Sequence, residues 1–556
     1  MPTTVIVGGV AAGMSAATRL RRLDEQREII VLERGPEVSF ANCGLPYHLG
    51  GVIPERSSLV LQNPRALGAR FRLDVRVHSA VTAIDRAART VVVSGPDGEY
   101  ALGYDELVLA MGAEAIRPAI PGAERAHVLR DLVDLDGIMA ALDAGPRTAV
   151  VLGAGAIGVE VAENLVRRGL RVAVVQRDRQ ILPGLDPEMA WPLAERLIEN
   201  GVDLLLGVVA TAIDADEVVL ATGERIPAEL VIAGVGVRPD SALAREAGLE
   251  LGPSGAIVVD AQQRSSDPAI YAIGDVAEKR DAVLGIGRPV ALAGPANRHG
   301  RLVADVIAGR APAARPSVAT AIVDVFGMAG AATGTTEKQL VAAGRAHRVI
   351  HTHPSQHVGY YPGASPLALK LLVDPETDAI LGAQAVGVAG ADKRIDVIAT
   401  AMSAGVTASG LADLELAYSP QYGSAKDPVN MLGYIAENLR DGLDRTLQWH
   451  ELDAAIAAGA TILDVRARGQ LAEGSIPGAT WIPVEQLRER AAELDGPIVL
   501  HCRVGQGAHT AARLLAGLGK DVRNLDGGYL TWRAGTAARA ALEREVEPAL
   551  EPEPVA

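Results

Sequence analysis

Gly153-Ala154-Gly155-Ala156-Ile157-Gly158 lies between an apolar run at 148–152 and a helix-forming run at 159–168. A GxGxxG turn that follows a strand and opens a helix suits a dinucleotide. The first glycine makes the turn, the second lets the backbone approach a pyrophosphate, and the third lets the helix pack closely with its N-terminus toward the phosphates. An apolar run at 172–175 supplies the next strand. The start of the chain repeats this order, with an apolar run at 4–7, a glycine turn at 8–13, a helical run at 14–23 and a second apolar run at 29–32. Strands alternating with helices predict parallel, doubly wound sheets, and two such openings predict two nucleotide-binding domains.

The two turns differ in detail. Where a carboxylate ordinarily takes the ribose 2′-hydroxyl, the second has Gln176 followed by Arg177. That removes a charge that would repel a 2′-phosphate, so NADH and NADPH both stay open. The first reads Gly8-Gly9-Val10-Ala11-Ala12-Gly13, with Val10 at the middle glycine position, and Gly9 is expected to supply the close approach. Glu33, twenty residues after Gly13, ends the next strand where a ribose-binding acid belongs.

Composition bounds the class. At roughly 100–200 residues per domain, 556 residues imply three to five domains. Hydrophobic residues at 49% and charged residues at 22% exclude a mostly disordered chain. Lys and Arg number 53 against 68 Asp and Glu, a net charge of −15 that argues against nucleic acid as the main partner. No run of about 18 uncharged apolar residues occurs, and the N-terminus enters Val5-Ile6-Val7 directly. Neither a membrane span nor a signal peptide is expected, and the cytoplasm is the expected location. The two cysteines, Cys43 and Cys502, stand 459 positions apart, so each must do any thiol chemistry singly.

From about 319 to 442 the pattern turns to longer β-rich stretches with a helix near 392–404, and 441–444 reads as a linker. A separate unit follows, with strands at 461–465 and 497–501 and a helix after Ala508, before a proline- and glutamate-rich end expected to be disordered. His347, His351, His353 and His357 form a histidine-rich stretch whose spacing fits no common site, so no metal is expected.

Cys43 sits in SFANCGLPY at 39–47, after a loop and at the expected opening of a helix, a position that favours the thiolate. YDELVLAMG at 104–112 and YAIGD at 271–275 resemble the segments that flavin disulfide reductases place around FAD, with Met111 in place of the more usual threonine. Residues 1–440 thus resemble the flavin-dependent pyridine nucleotide–disulfide oxidoreductases. The resemblance implies FAD held by Gly8, Gly9, Gly13, Glu33, Ala110, Gly112, Gly274 and Asp275, with Asp275 on the ribitol chain. It implies NAD(P)H held by Gly153, Gly155, Gly158, Gln176 and Arg177.

SFANCGLPY is similar to the single-cysteine coenzyme A disulfide reductase branch, and so are LAGPANRHGR at 292–301, GYYPGA at 359–364, DKRID at 392–396 and YSPQYGSAKDPVNM at 418–431. This branch implies a coenzyme A site. Ser15, Arg19 and Arg22 share one helix stripe, Ser39 and Asn42 flank the cysteine, and His299 and Lys426 come from the later motifs. Cations suit the phosphates and polar groups the pantetheine amides. Phe71 stands between Arg70 and Arg72 where the pattern expects a basic residue. Tyr418 is similar to a family tyrosine contributed across a dimer interface, with Tyr360 or Tyr361 as its companion, so a homodimer is implied. NADH oxidases and peroxidases share the lone-cysteine segment and would use Cys43 as a sulfenic acid, the competing enzyme reading.

The last unit resembles a single rhodanese domain through Leu463-Asp464-Val465-Arg466, Gly474-Ser475-Ile476-Pro477-Gly478-Ala479, His501-Cys502 and Leu525-Asp526-Gly527-Gly528-Tyr529. Cys502 begins a loop whose backbone N–H groups would cradle a thiolate or persulfide. Gly507 stands where many rhodanese loops carry arginine, so thiosulfate is expected to be a poor donor unless Arg503 compensates.

The resulting expectation is an α/β protein of two Rossmann-like dinucleotide-binding domains, an α+β dimerisation domain and an α/β rhodanese domain. Its FAD domain spans 1–112 and 246–320, its NAD(P) domain 113–245, its dimerisation domain 321–440, a linker 441–449, the rhodanese domain 450–538 and a disordered tail 539–556. The implied activity is NAD(P)H-dependent reduction of small-molecule coenzyme A disulfides, persulfides or polysulfides, with sulfane sulfur carried on Cys502. A redox-sensing or scaffold protein with a non-catalytic rhodanese module is the reading from another class.

Overall fold

The computed structural model describes residues 1–543. Two compact units are present, one of residues 1–175 with 210–319, the other of 176–209 with the chain from 320 onward.

In the first unit five parallel strands run in the order Ile270–Ala272, Glu106–Leu109, Thr3–Val7, Glu28–Leu32 and Asp74–Arg76. Successive side chains of a strand leave on opposite faces. Ile6, Val31 and Val108 accordingly pack with Ala17, Leu20 and Val303 of the helices Ala11–Leu23 and Ala293–Ile307. Their neighbours Val5, Ile30 and Leu107 pack on Val91 and Val93 of a three-stranded antiparallel sheet. Both faces are buried, so a one-residue slip would exchange two different packing partners, and the register is fixed.

The same unit holds the second nucleotide motif. Strand Thr148–Leu152, buried throughout, pairs in parallel with Arg171–Gln176 and Leu230–Ala233. The two motif helices begin earlier than their apolar periodicity predicts, at Ala11 and Ala156 instead of 14 and 159. The last positions of each glycine motif are already helical, because Val10 and Gly155 act as the N-caps.

In the second unit a five-stranded antiparallel sheet runs Ala321–Val325, Met328–Gly334, Ile380–Gly387, Ala368–Val373, Arg348–Thr352. Helices Ala391–Ala404 and Pro428–Arg440 cover it through Ile395, Ile398, Val429 and Leu432. Helix Pro187–Glu199 also lies in this unit, and a Cβ on Gly330 would meet Leu193 Cδ1 at 2.5 Å.

A second sheet in this unit is parallel, in the order Thr446–Leu447, Val522–Leu525, Ile498–His501, Thr461–Asp464, Thr480–Trp481. The linker expected over 441–449 is therefore shorter, because Thr446–Leu447 is already an edge strand of this sheet. The helix expected after Ala508 starts at Gln506. Residues 539–543, expected to be disordered, instead end helix Gly528–Glu543, and Arg539 pairs with Asp453 at 2.8 Å. Residues 544–556 of that expected tail lie outside the described residues. Among the described residues no helix is long and apolar enough to cross a membrane.

Candidate functional site

The first glycine turn is built to hold a nucleotide. Gly8 has φ +104°, and a Cβ there would lie 2.4 Å from the Ala110 carbonyl oxygen; a Cβ on Gly13 would lie 1.9 Å from the Gly8 carbonyl oxygen. Glu33 accepts from the backbone N–H of Gly9 at 2.7 Å and of Gly35 at 2.9 Å, which fixes its carboxylate at the strand end. The missing Cβ of Gly9 makes room for Val38 Cγ1, 2.6 Å from where it would stand, so packing inside the protein also calls for glycine here.

Gly274 and Asp275 follow strand Ile270–Ala272, and Gly112 follows Glu106–Leu109. Arg130 links these segments. It donates to Asp275 Oδ2 at 3.2 Å and to the Ala113 carbonyl at 2.9 Å, and its own carbonyl accepts from Asn42 Nδ2 at 3.0 Å. Lys279 is buried, donating to the carbonyls of Gly274 and Ala277; burial pushes its pKa down to about 8, against the pull of Asp275. A cradle closed to any Cβ, a fixed acid at the strand end and a second acid at Asp275 fit FAD.

Cys43 is exposed. It lies in a 3₁₀ turn, Asn42–Gly44, that leads into the short helix Leu45–Leu49. This helix rests on the second nucleotide helix, Ala156–Arg167. Tyr47 donates to Glu160 at 3.2 Å, and a Cβ on Gly50 would overlap Asn164 Oδ1 at 1.9 Å. Ser39 has φ +51°, and its N–H donates to the Gly9 carbonyl at 2.9 Å, which ties the Cys43 segment to the first nucleotide turn.

The expected coenzyme A residues fare unequally. Ser15 bonds Asn297 Oδ1. Arg19 is not a free cation, because Asp305 holds it at 2.7 Å with both side chains largely buried. Arg22 is exposed and lies over the Phe71 ring at 6.0 Å, with Arg70 at 5.2 Å from the same ring. Phe71 therefore gathers two guanidinium groups at the place where a basic residue was expected. His299 is buried and its Nδ1 has no partner; burial, with Lys279 and Arg298 adding, pushes its pKa down to about 4. It is neutral near pH 7, so it has a hydrogen bond to offer and not a charge.

At the second motif the three glycines divide the work. A Cβ on Gly153 would lie 2.4 Å from the Gly234 carbonyl oxygen and one on Gly158 2.0 Å from the Gly153 carbonyl oxygen, whereas nothing stands within 4 Å of a Cβ on Gly155. The middle position is open, as approach of a pyrophosphate requires. Gln176, buried, ends its strand. Its Nε2 lies 3.5 Å from Asp178 Oδ2, and exposed Arg177 pairs with Asp178 Oδ1 at 3.3 Å. A carboxylate is thus near the strand end after all, supplied two residues later than the usual place.

The second unit holds the remaining candidates. Tyr360 and Tyr418 are exposed and share a hydrogen bond of 3.0 Å, which raises the Tyr418 pKa, whereas Tyr361 packs edge-on against His357 at 5.6 Å. Of the two candidate companions, Tyr360 is the one bonded to Tyr418. Lys426 is exposed.

Cys502 is buried at the end of strand Ile498–His501, with Gly505 N–H donating to Sγ at 3.2 Å just before helix Gln506–Gly517. Arg503, the residue that could stand in for the missing arginine, pairs through Nε with Glu473 at 2.8 and 2.9 Å. His501 is buried and neutral, its pKa pushed down to about 4 by burial.

The histidine stretch separates. His351 is buried and donates through Nδ1 to Asp526 at 2.8 Å and through Nε2 to Glu188 at 3.1 Å. Burial opposes its charge, yet the hydrogen bonds to Asp526 and Glu188 prevail and push its pKa up to about 9. Asp186, Glu188 and Glu337 bring carboxylate oxygens together, and the Lys370 ammonium sits among them at 2.5–3.0 Å.

Sequence reasoning missed Arg130, Asp178, Glu160 and Asn164 as supports of the sites. Asp178 lies in the local segment and was readable; Arg130 meets Asp275 across 145 positions and carries no local signal.

Comparison with known proteins agrees with this geometry. Residues 2–300 match the model of the family described as pyridine nucleotide-disulphide oxidoreductase, residues 320–428 the dimerisation domain of that family, and residues 448–535 the rhodanese-like domain. A coenzyme A disulfide reductase of Staphylococcus aureus (strain JH9) is 34% identical over 441 residues, which are 79% of this chain and 100% of that relative. The crystal structure of reduced Bacillus anthracis CoADR-RHD is similar with a TM-score of 0.95 and 42% identity over 97% of this chain and 98% of that one. An NAD-dependent persulfide reductase from A. fulgidus is similar with a TM-score of 0.90 and 35% identity over 95% of this chain and 100% of that one.

Proposed function

The chain belongs to the pyridine nucleotide-disulphide oxidoreductase family, and from that premise we propose that it is an FAD-dependent NAD(P)H:coenzyme A disulfide, persulfide or polysulfide reductase whose rhodanese domain carries sulfane sulfur on Cys502. The observation that carries this reading is the lone exposed thiol of Cys43, tied through Ser39 to the FAD-type turn and seated through Tyr47 on the dinucleotide helix.

Gly8, Gly13, Glu33 and Asp275 would hold FAD, and Gly153, Gly155, Gly158, Gln176 and Arg177 the nicotinamide nucleotide. Bound FAD would supply the two-electron relay from NAD(P)H to sulfur. Cys43 thiolate attacks the S–S bond of a coenzyme A disulfide, keeps one sulfur as a mixed disulfide and releases the other half as a thiolate. With a persulfide it takes the terminal sulfur and releases coenzyme A thiolate. Two electrons then restore the Cys43 thiolate and release the retained fragment as a thiol, or as sulfide. Only one protein cysteine is needed, because the substrate brings the second sulfur.

Arg22 and Arg70, gathered on Phe71, would serve as cations for coenzyme A phosphates; Ser15, Ser39, Asn42 and neutral His299 would offer hydrogen bonds. Tyr418, bonded to Tyr360, would protonate or hold the departing thiolate from the partner subunit of a homodimer. Two unpaired cysteines accord with a cytoplasmic setting. Anaerobic NADH and NADPH oxidation with coenzyme A disulfide, coenzyme A persulfide or hydrogen peroxide tests the reading. Turnover with the sulfur substrates supports it; turnover with peroxide alone would make the protein a peroxidase.

A further inference from the structure

We propose that His351 and His353 are positioning residues for Cys502: by gripping Asp526 and Thr531 they set the Gly527-Gly528 turn against the Cys502 loop and so fix the direction of the thiol. This rests on the reading of Cys502 as a sulfur carrier. The two histidines stand two residues apart on an extended segment that continues strand Arg348–Thr352 of the antiparallel sheet, so their side chains leave the same face. That face meets the start of the last helix, Gly528–Glu543.

His351 holds Asp526 twice, through Nδ1 and through its backbone N–H, each at 2.8 Å. Its other nitrogen is anchored on Glu188, itself bonded to Lys370 at 2.5 Å, so the imidazole is fixed from both sides. His353 Nε2 meets the buried hydroxyl of Thr531 at 2.7 Å. The glycines between these two grips touch both parties. A Cβ on Gly527 would overlap Thr531 Oγ1 at 2.0 Å and crowd His351 Cβ at 2.7 Å, and one on Gly528 would crowd the Cys502 carbonyl oxygen at 2.6 Å and Gly505 N at 2.8 Å.

The helix start then holds the loop itself. Tyr529 N–H donates to the Cys502 carbonyl at 2.9 Å and Leu530 N–H to the Arg503 carbonyl at 3.1 Å. From His351 to Cys502 the path is two hydrogen-bonded steps through one rigid turn. A second sheet thus sets the sulfur-carrying loop, and the histidines that fit no metal pattern acquire a role.

The test uses the full chain with FAD and three variants: His351→Gln, Thr531→Val and Thr531→Ser. Cys502 reactivity is read as the alkylation rate of its peptide by iodoacetamide, with the Cys43 peptide as internal reference, and sulfur transfer as thiocyanate formed from polysulfide and cyanide. In His351→Gln and Thr531→Val the loop loosens, so Cys502 alkylation should rise and sulfur transfer fall on the order of 10–100-fold, the scale of a misplacement of about 1 Å. Coenzyme A disulfide reduction through Cys43 should stay at the wild-type rate, and Thr531→Ser, which keeps the hydroxyl, should behave as wild type. Unchanged alkylation and transfer in both His351→Gln and Thr531→Val would overturn the proposal. Equal loss of the Cys43 and Cys502 reactions in Thr531→Val, the milder change, would overturn it too. Wild-type protein unable to carry sulfur on Cys502 would refute the proposed function instead, and the alkylation rates would still decide the positioning.

Discussion

The phenol oxygens of Tyr360 and Tyr418 lie 3.0 Å apart, although 58 positions separate the residues. One hydroxyl donates to the other, and the contact raises the Tyr418 pKa and keeps its proton at neutral pH. If Tyr418 delivers that proton, Tyr418→Phe should lower kcat for coenzyme A disulfide on the order of 10²-fold, the lower range for general acid catalysis. Tyr360→Phe should cost less, and KM should change little in either. Steady-state kinetics at pH 7 check this.

Nicotinamide choice should be governed by Gln176, Arg177 and Asp178. Asp178 lies beside both other side chains, and its negative charge would disfavour a 2′-phosphate there. Asp178→Asn should raise kcat/KM for NADPH relative to NADH, and Gln176→Glu should lower it, each within ~1.5–3 kcal/mol, the scale of hydrogen bonds to charged groups. The ratio of kcat/KM values for the two nucleotides is the readout.

Buried charge sets a stability test. Lys370 is 0% exposed among Asp186, Glu188 and Glu337, and its charge offsets theirs. Lys370→Met leaves three carboxylates gathered without a cation and should destabilise the second unit by ~3–5 kcal/mol. Denaturant unfolding monitored by Trp fluorescence measures the loss.

Stability should also fall on both sides of neutrality. His351 has its folded pKa pushed up to about 9 from 6.5, so the folded state holds the extra proton. Its contribution is complete below about pH 6.5 and is lost as the pH rises through 9. His299 and His501 are pushed down to about 4, so their contribution is present above about pH 6.5 and is lost as the pH falls toward 4. The groups facing His351 are Glu188, Asp526 and Lys370, with Asp186 and Glu337 behind them. Melting temperatures from pH 4 to 10 should therefore peak near neutrality, and His351→Gln should flatten the alkaline side alone.

Thiosulfate should be a poor sulfur donor, because Arg503 is committed to Glu473 and the loop has glycine at 507. A Cβ on Gly507 would meet Cys502 at 3.4–3.5 Å, ordinary contact, so Gly507→Arg meets no clash at its Cβ. It should raise kcat/KM for thiosulfate in a thiocyanate assay.

What the sequence made legible follows from what local pattern encodes. Strand Thr148–Leu152 and both nucleotide turns were readable because apolar runs and glycine spacing are properties of short segments. The same holds for the cysteine segment and the rhodanese loop. The partners of charges were not readable. Arg19 has the right spacing for a phosphate ligand, yet Asp305, 286 positions away, takes its charge. His351 gave no metal pattern, and its partners Glu188 and Asp526 come from elements 163 and 175 positions distant. Such pairs are set by packing, which periodicity does not record. Gly9 has a packing reason beside its motif place, because Val38 fills the space a Cβ would take.

The proposed function divides the work between two thiols, one exposed at 43 and one buried at 502. Its most direct test is anaerobic NADH-dependent reduction of coenzyme A disulfide and of polysulfide by Cys43→Ser and Cys502→Ser proteins with equal FAD content. The expected result is that Cys43→Ser abolishes both reactions while the nucleotide still bleaches the flavin, and that Cys502→Ser retains coenzyme A disulfide reduction but slows polysulfide. Loss of coenzyme A disulfide turnover in Cys502→Ser, or its survival in Cys43→Ser, would refute this division between the thiols.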